Sequence, residues 1–298
     1  VKCRRCRAAA VIDLPRHNAA FCAACFRRHC REQVRRALDE HRMVRDGERV
    51  LVAVSGGKDS LACWDLLRAL GIPADGMVIG LGIGDYSQAS TRYARAFAEA
   101  RGWPLQVVDL RERFGFDVPN AAAATRRAPC GACGLTKRHL FNQVAIEGGY
   151  DVLATGHNLD DEAAVLLGNV LHWEEEYLAR QRPALPGGDG FVRKVKPLVR
   201  LSERETAAYC VLSGIDYQVE ECPMAAGNRH LAYKEALNAV EARSPGTKAA
   251  FVAGFWSRAQ RRFAEGRPGP ALGACTGCGA PTPGTVCAFC RLQARAAG

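Results

Sequence analysis

The sequence predicts an α/β protein: a parallel sheet with helices on both faces, flanked by a small four-cysteine unit near each end. Three observations carry this. An apolar, β-branched run stands at 50–54, and further strand-like runs recur at 77–81, 105–109 and 151–154. Helical patterns fill the gaps at 60–70, 87–101 and 135–147, and strands alternating with helices imply βαβ units and a parallel sheet. Paired C-x-x-C motifs stand near both termini, Cys3/Cys6 with Cys22/Cys25 and Cys275/Cys278 with Cys287/Cys290.

A chain of 298 residues with 48% hydrophobic content is large enough for a sizeable core with small appendages. No apolar run is long enough to span a bilayer. The start, Val1-Lys2-Cys3-Arg4-Arg5, lacks the apolar segment of a signal peptide, so a cytoplasmic protein without a membrane partner is expected. The net charge of +10, with clustered Arg residues, points to a polyanionic partner. Fourteen cysteines in a cytosolic chain of this size read as metal ligands rather than disulfides.

The N-terminal unit, residues 1–30, offers Cys3, Cys6, Cys22 and Cys25, four soft ligands that suit tetrahedral structural zinc. The segment is too short to fold on a hydrophobic core, so the metal would supply its stability. A redox disulfide is the alternative, and His29 and Cys30 are spare ligands. A helix is expected over 27–45, with residues 31–47 forming a basic linker helix. It carries Arg27, Arg28, Arg31, Arg35, Arg36, Arg42 and Arg45 against Glu32, Asp39 and Glu40. Val34 and Leu38 mark its buried side, and the Arg excess suits RNA phosphates.

The catalytic domain is expected over 48–200. The strand at 50–54 breaks into Ser55-Gly56-Gly57-Lys58-Asp59-Ser60 and then a helix. Such a turn aims backbone N–H groups and a helix dipole at one point, which suits a phosphate. It is not a Walker A loop, because Val52 stands where that motif needs its first Gly, and Asp59 follows the lysine. The turns at 82–85 and 155–158 lie at other strand carboxyl ends and should converge on the same crevice.

Residues 126–134, with Cys130 and Cys133, read as a loop leading into a helix with Lys137 and Arg138 in its first turns. Cys63 and Cys210 read as buried fillers. Cys222, after a strand-like run at 216–219, is the natural third member. Three thiolates without a fourth suggest an iron–sulfur cluster with one open iron or a catalytic persulfide pair. A third zinc or unrelated free thiols are also compatible.

Asn158 or Asp160 is expected to cap a helix at 163–171, with Asp161 the candidate for a reactive role. A carboxylate here can also hold Mg2+ on phosphates. His157 reads as a capping or core histidine.

A Pro/Gly-rich break at 183–189 and a basic strand-like segment at 193–198 follow. Residues 201–267 are expected to form a helical part, with helices at 203–212 and 231–242 and a basic helical stretch at 251–263. A linker is expected at 268–273. The last unit, 268–298, holds Cys275, Cys278, Cys287 and Cys290 as a second zinc ribbon, with a short tail from 291.

The motif S-G-G-K-D-S resembles the signature of the PP-loop ATP pyrophosphatases (adenine nucleotide alpha hydrolase-like), which bind ATP, adenylate a substrate oxygen and release pyrophosphate. In order, the chain holds a four-cysteine ribbon, S-G-G-K-D-S, P-C-G-A-C-G, T-G-H-N-L-D-D-E, E-E-C-P and a second ribbon. The combination resembles the tRNA 2-thiouridine synthetases of the TtuA type, in the TtcA/TtuA family, over almost the whole chain.

The resemblance implies a tRNA sulfurtransferase that adenylates uracil O2 and thiolates a T-loop uridine or ribothymidine, releasing AMP and pyrophosphate. It implies ATP on Ser55, Gly56, Gly57, Lys58, Asp59 and Ser60, with Ala53, Leu81 and Gly156 as backbone neighbours. Lys137 and Asp161 would be polar residues of the reaction site. Cys130, Cys133 and Cys222 would hold a 4Fe-4S cluster, with Cys130 and Cys222 also in catalytic roles. Partners implied are tRNA, a ubiquitin-like carrier with a C-terminal thiocarboxylate, and a second copy in a homodimer. Val1 stands where such proteins start with Met, which fits an alternative start codon or a removed Met. Relatives often carry a basic tail past the second ribbon, whereas this sequence ends at Gly298.

Three alternatives stand beside this reading. Wobble-uridine or cytidine thiolation keeps the chemistry and changes the target, and the two ribbons disfavour the cytidine enzyme. Another PP-loop adenylating ligase would not need the cysteine triad. A non-enzymatic zinc-ribbon RNA-binding protein would not need Ser55, Lys58 and Asp59 intact.

Overall fold

A computed structural model of the chain describes residues 1–225, 227, 229–265 and 271–297. It opens on a hairpin, β1 (Ile12–Leu14) and β2 (Ala19–Phe21), turned by a short 3-10 helix at Pro15–His17. The hairpin brings Cys3 and Cys6 beside Cys22 and Cys25. Helix α1 (Ala23–Glu40) starts directly after Cys22 and ends before Arg42, short of the expected 45. Its end is a Schellman turn. Arg42 takes the left-handed conformation (φ 47°), and the N–H of Met43 returns to the carbonyl of Leu38 at 2.9 Å. Met43 is fully buried there, so the apolar contact stops the helix. Val34 and Leu38 face the core as expected.

The central unit runs β3 (Val50–Val54), α2 (Lys58–Ala69), β4 (Ala74–Gly80), α3 (Gly84–Glu99), β5 (Leu105–Asp109), α4 (Leu110–Phe114), α5 (Val118–Thr125), α6 (Pro129–Glu147), β6 (Val152–Thr155), α7 (Leu159–Leu171), α8 (Glu175–Arg180), β7 (Ala184–Leu185), β8 (Arg193–Val195) and α9 (Glu203–Leu212). The sheet order is β5-β4-β3-β6-β8-β7, parallel except for the edge strand β7. β3 lies between β4 and β6, so the turn after it opens among the carboxyl ends of three strands.

Alternate residues of the strands feed two cores. Val50, Val52 and Val54 pack with Val78, Val152 and helices α1, α2, α3 and α9. Leu51, Met77, Ile79 and Leu153 pack with α5 and α6 on the other face. Both faces are apolar, as a doubly covered parallel sheet requires.

Helices α10 (Arg229–Arg243), α11 (Thr247–Gly254) and α12 (Gln260–Ala264), with a π-helical turn at Phe255–Ala259, follow. Residues of α7, α8, α10 and α11 form a third apolar cluster. Strands β9 (Gly273–Ala274) and β10 (Pro281–Thr282) make the second hairpin, and α13 (Ala288–Ala296) closes the described chain. Phe21 of the N-terminal unit joins the first core, and Phe289 and Leu292 of the C-terminal unit join the second. The two cysteine units therefore cover opposite faces of the sheet.

Several expectations need correction. Residues 129–134 are helix, not loop: Pro129 sits in the first turn of α6, where its missing N–H costs nothing. Lys137 and Arg138 therefore lie in its third turn rather than the first. Helix α7 begins at Leu159, four residues early, because Asn158 caps it. The break at 183–189 contains β7, and α8 was not foreseen. Residues 216–219 form no strand. They cross the strand ends instead, with Gln218 N–H donating to Gly56 O at 2.9 Å. The tail from 291 is mostly helix α13, whose apolar residues pack on the sheet. Of the expected linker at 268–273, residues 268–270 lie outside the described residues, as do 266, 267 and Gly298. Among the described residues no helix is long and apolar enough to cross a membrane.

Trp64 is fully buried, donates its indole N–H to Ala74 O at 2.9 Å, and occupies the space left by Gly76 in β4. Trp64→Ala is expected to lower stability by about 3–5 kcal/mol, read from the denaturant midpoint.

Candidate active site

The turn after β3 is closed by its own side chains. Ser60 Oγ accepts from Ser55 N–H at 3.0 Å and donates to Gly57 O at 2.9 Å. Gly56 has a positive φ of 73°, and a Cβ there would overlap the Ser90 carbonyl. Gly156, at the end of β6, lies so close that a Cβ would stand 2.7 Å from the Asp59 carbonyl carbon. Both glycines are needed for the loop to nest between α3 and β6.

Asp59 ties this loop to two other elements. Its Oδ1 accepts from Asn158 Nδ2 at 3.0 Å and from the Thr206 hydroxyl, and its Oδ2 accepts from Lys58 Nζ at 3.0 Å. Lys58 also reaches Glu203 at 2.8 Å. Lys234 joins Glu203 at 3.2 Å and Asp161 at 2.6 Å. The result is a half-buried chain of alternating charge: Asp59, Lys58, Glu203, Lys234, Asp161. Burial opposes charge on both lysines. The facing carboxylates outweigh it and hold each lysine pKa above its ordinary value. Glu203 is held below its ordinary value, because Lys58 and Lys234 outweigh its burial.

Asn158, not Asp160, caps α7. Its Oδ1 accepts from the N–H groups of Asp160 and Asp161, and Asp161 Oδ2 accepts from Asn158 N–H at 3.1 Å. This capping box engages Asp161 in local structure. His157 is neither cap nor core: it is exposed, with Nδ1 2.8 Å from Thr155 Oγ1.

A cavity of about 430 Å³ opens beside the loop. Ala53, Ser55, Asp59, Ser60, Leu81, Lys137 and Gly156 line it, as do His157, Tyr86, Arg138 and Lys194. Gly56, Gly57, Lys58 and Asp161 are not in its wall. One side is apolar (Val78, Ile79, Phe141, Leu153) and another is cationic, which suits a base joined to phosphates. Burial, then Arg138 and Lys196, push the Lys194 pKa down.

Helix α6 connects the cavity to the cysteines. Gly134, Lys137, Arg138 and Phe141 line the cavity, while Cys130 and Cys133 lie at i, i+3 in the first turns of the same helix. Cys222 joins them. Burial raises the Cys133 thiol pKa, the nearby Cys222 and Cys130 raise it further, and Lys137 opposes them. Cys130 Sγ lies 3.8 Å from Met224 O, just past Cys222. Tyr86, in the cavity wall, senses both Cys222 and Cys133. These three sulfurs do not meet within the span that one ion requires. Three thiolates on three irons of one cluster stand further apart than ligands of a single ion, so this donor set fits a 4Fe-4S group better than zinc.

The terminal clusters differ. Cys3, Cys6, Cys22 and Cys25 bring their sulfurs within 4.8 Å of one another, as do Cys275, Cys278, Cys287 and Cys290. The Cys6–Cys22, Cys278–Cys287 and Cys275–Cys290 separations are 3.5, 3.7 and 3.8 Å. Thiolates at about 2.3 Å from a tetrahedral zinc stand about 3.8 Å apart. Burial opposes ionisation of Cys3, but the N–H groups of Cys22, Cys6 and Arg5 bring it down to about 6. Cys275 is brought to about 6 chiefly by Cys287 N–H. His29 and Cys30 stand outside the first cluster.

Sequence reasoning missed Thr206, Glu203, Lys234, Gln218, Tyr86 and Lys194. Gln218 Oε1 accepts from Ser90 at 2.6 Å and its Nε2 donates to Tyr86 O at 3.1 Å. Only the pairing of Ser202 with Glu205, a capping box, marked the start of α9 in the sequence.

Residues 2–27 match the model of the 2-thiouridine synthetase TtuA N-terminal LIM domain. The chain is 51% identical to a tRNA-5-methyluridine(54) 2-sulfurtransferase of Thermus thermophilus, covering 97% of this chain and 90% of the relative. It is 40% identical to the protein of the same name from Pyrococcus horikoshii, covering 98% and 93%. Among solved structures it superposes on the U34-tRNA thiolase NcsA from Methanococcus maripaludis with its [4Fe-4S] cluster. That match has a TM-score of 0.82 and 27% identity, over 98% of this chain and 95% of that one.

Thr206 is fully buried, and its hydroxyl is one of the two donors to Asp59 Oδ1. Thr206→Val is expected to cost about 1–2 kcal/mol, read by chemical denaturation.

Proposed function

The chain belongs to the tRNA-5-methyluridine(54) 2-sulfurtransferase family, and on that premise we propose that it exchanges O2 of the T-loop 5-methyluridine of tRNA for sulfur, in two stages. The uracil O2 first attacks the α-phosphorus of ATP and pyrophosphate leaves. Sulfide then adds at C2, and AMP departs with the original oxygen. The observation that carries this reading is helix α6, which lines the cavity with Lys137 and presents Cys130 and Cys133 one to two turns earlier.

The base of ATP fits the apolar wall, with the backbone of Ala53 and Leu81 beside it. The N–H groups from Ser55 to Ser60 and the start of α2 receive the phosphates. Asp59 is the carboxylate of the cavity wall that can share Mg2+ with them. Lys137, Arg138 and Lys194 offset the charge that develops at phosphorus. Lys58 acts from behind, holding Asp59 and Glu203 in place. Asp161 positions Lys234 and the start of α7 rather than meeting substrate.

Cys130, Cys133 and Cys222 are the residues that would hold a 4Fe-4S cluster. When bound, the cluster supplies an open iron, a Lewis acid that presents sulfide. The terminal four-cysteine sets would hold structural zinc. The thiocarboxylate end of a ubiquitin-like carrier is the sulfur source, and the protein works in the cytoplasm as a homodimer. Arg28, Arg31, Arg35 and Arg36, exposed along α1, give tRNA phosphates a cationic face.

Wobble-uridine thiolation is the second reading, because the superposed archaeal protein is a U34-tRNA thiolase. The test is anaerobic incubation of iron-reconstituted protein with unthiolated tRNA, Mg-ATP and sulfide, followed by nucleoside mapping. Thiolation at position 54 is the expected result. Thiolation at 34 selects the second reading, and none at either position contradicts both. Cys222→Ala is expected to abolish thiolation and leave ATP binding within about twofold of wild type, measured by calorimetry. Retained thiolation would remove Cys222 from the triad.

A further inference from the structure

A third convergence of ligand atoms lies where the N-terminal hairpin meets helix α9. His17 ends the 3-10 turn between β1 and β2, His29 lies in the second turn of α1, and Glu205 in the first turn of α9. Glu205 is fully buried, and its two oxygens are treated differently. Oε2 accepts from the Arg16 guanidinium, from Ser202 N–H at 2.7 Å and from Ser202 Oγ at 2.8 Å. Among the described residues Oε1 is buried without a hydrogen-bond partner, and so are His17 Nε2 and His29 Nε2. These three orphaned atoms face one another: His17 Nε2 stands 3.5 Å from Oε1, and His29 Nε2 stands 3.6 Å from it.

Buried polar atoms are rarely left unpaired, and three at one point call for an occupant. Direct N–H···O bonds would close to about 2.7–3.2 Å. The observed gaps instead match two donors on one tetrahedral ion. Bonds of about 2.0–2.1 Å place neighbouring N and O ligands about 3.4 Å apart. The cysteine clusters obey the same relation with their longer bonds.

The imidazoles are also held in place. His29 stacks on Phe21 (5.1 Å, 22°) and meets His17 edge-on (4.7 Å, 77°). Pro15 starts the turn that carries His17, and Asn18 ends it in the left-handed conformation. Arg16 and Ser202 supply the outer hydrogen bonds that orient a ligating carboxylate.

We propose that His17 Nε2, His29 Nε2 and Glu205 Oε1 bind a divalent transition-metal ion, zinc for a donor set of two imidazoles and one carboxylate. The ion pins the N-terminal hairpin to α9. The same first turns of α9 carry Glu203 and Thr206, which hold Lys58 and Asp59. The site therefore sits behind the nucleotide loop, braced by the helix that braces the loop.

The proposal is independent of the sulfurtransferase reading, and its test reads metal content. Iron-reconstituted full-length protein is saturated with zinc, passed through a desalting column and analysed by native mass spectrometry. The His17→Ala/His29→Ala variant is expected to carry one zinc fewer per chain than wild type, with the terminal clusters still loaded. Equal zinc in the two proteins overturns the proposal and leaves a water molecule as the occupant. Cobalt(II) loading of wild type is a second readout that does not depend on how the variant folds. The added equivalent is expected to show visible ligand-field bands without a thiolate charge-transfer band. Thiolate charge transfer accompanying every bound cobalt overturns the assignment.

Discussion

The carboxylate of Asp59 is the contact on which the rest of the site depends. It takes Asn158 and Thr206 on one oxygen and Lys58 on the other. The loop after β3, the cap of α7 and the first turns of α9 thereby become one body. On the proposed function the loop presents several N–H groups to a triphosphate and so cannot wander, because an N–H moved by a fraction of an ångström loses much of its hydrogen bond. The two glycines serve the same end. Gly56 and Gly156 let Ser90 and the β6 terminus approach the loop to distances that a Cβ would forbid.

Two further connections extend from that body. Helix α6 reaches from the cavity wall to Cys130 and Cys133, and Gln218 reaches from Gly56 and Tyr86 toward Cys222. The cysteines that approach the cavity thus come from two segments, each anchored at the nucleotide loop or its wall. On either face of the sheet a four-cysteine unit packs its apolar residues into a different core. Those units are part of how the sheet is covered.

Much of this was legible in the residues. The strand at 50–54 and the helix at 203–212 stand where the sequence puts them, because an uninterrupted apolar run and a serine–glutamate capping box are strong local signals. The pairing of C-x-x-C motifs was legible because two knuckles facing across a short hairpin have few other uses. The ends of α1 and α6 were not, since each depends on one residue in an unobvious role, Arg42 in a left-handed turn and Pro129 in a first turn; for α7 the cap Asn158 was a legible candidate, and only the helix start directly after it was missed. Thr206, Gln218 and Lys234 were invisible for another reason. Each meets a partner more than 70 residues away in the chain, so no local pattern announces that contact. Lys58 shows the limit of a motif from the other side: the residue is in place, but its ammonium turns toward Glu203 and Asp59 and not into the cavity.

In the proposed reaction the cavity joins a nucleobase oxygen to the α-phosphorus of ATP before sulfur replaces it. The direct measurement uses tRNA carrying ¹⁸O at O2 of the 5-methyluridine in the T loop. After one round of thiolation with unlabelled ATP and sulfide, AMP is isolated and weighed by mass spectrometry. The heavy oxygen is expected in AMP, one atom for each sulfur gained by the tRNA. Unlabelled AMP beside fully thiolated tRNA would contradict it, because the oxygen would then have left without ever being bonded to phosphorus.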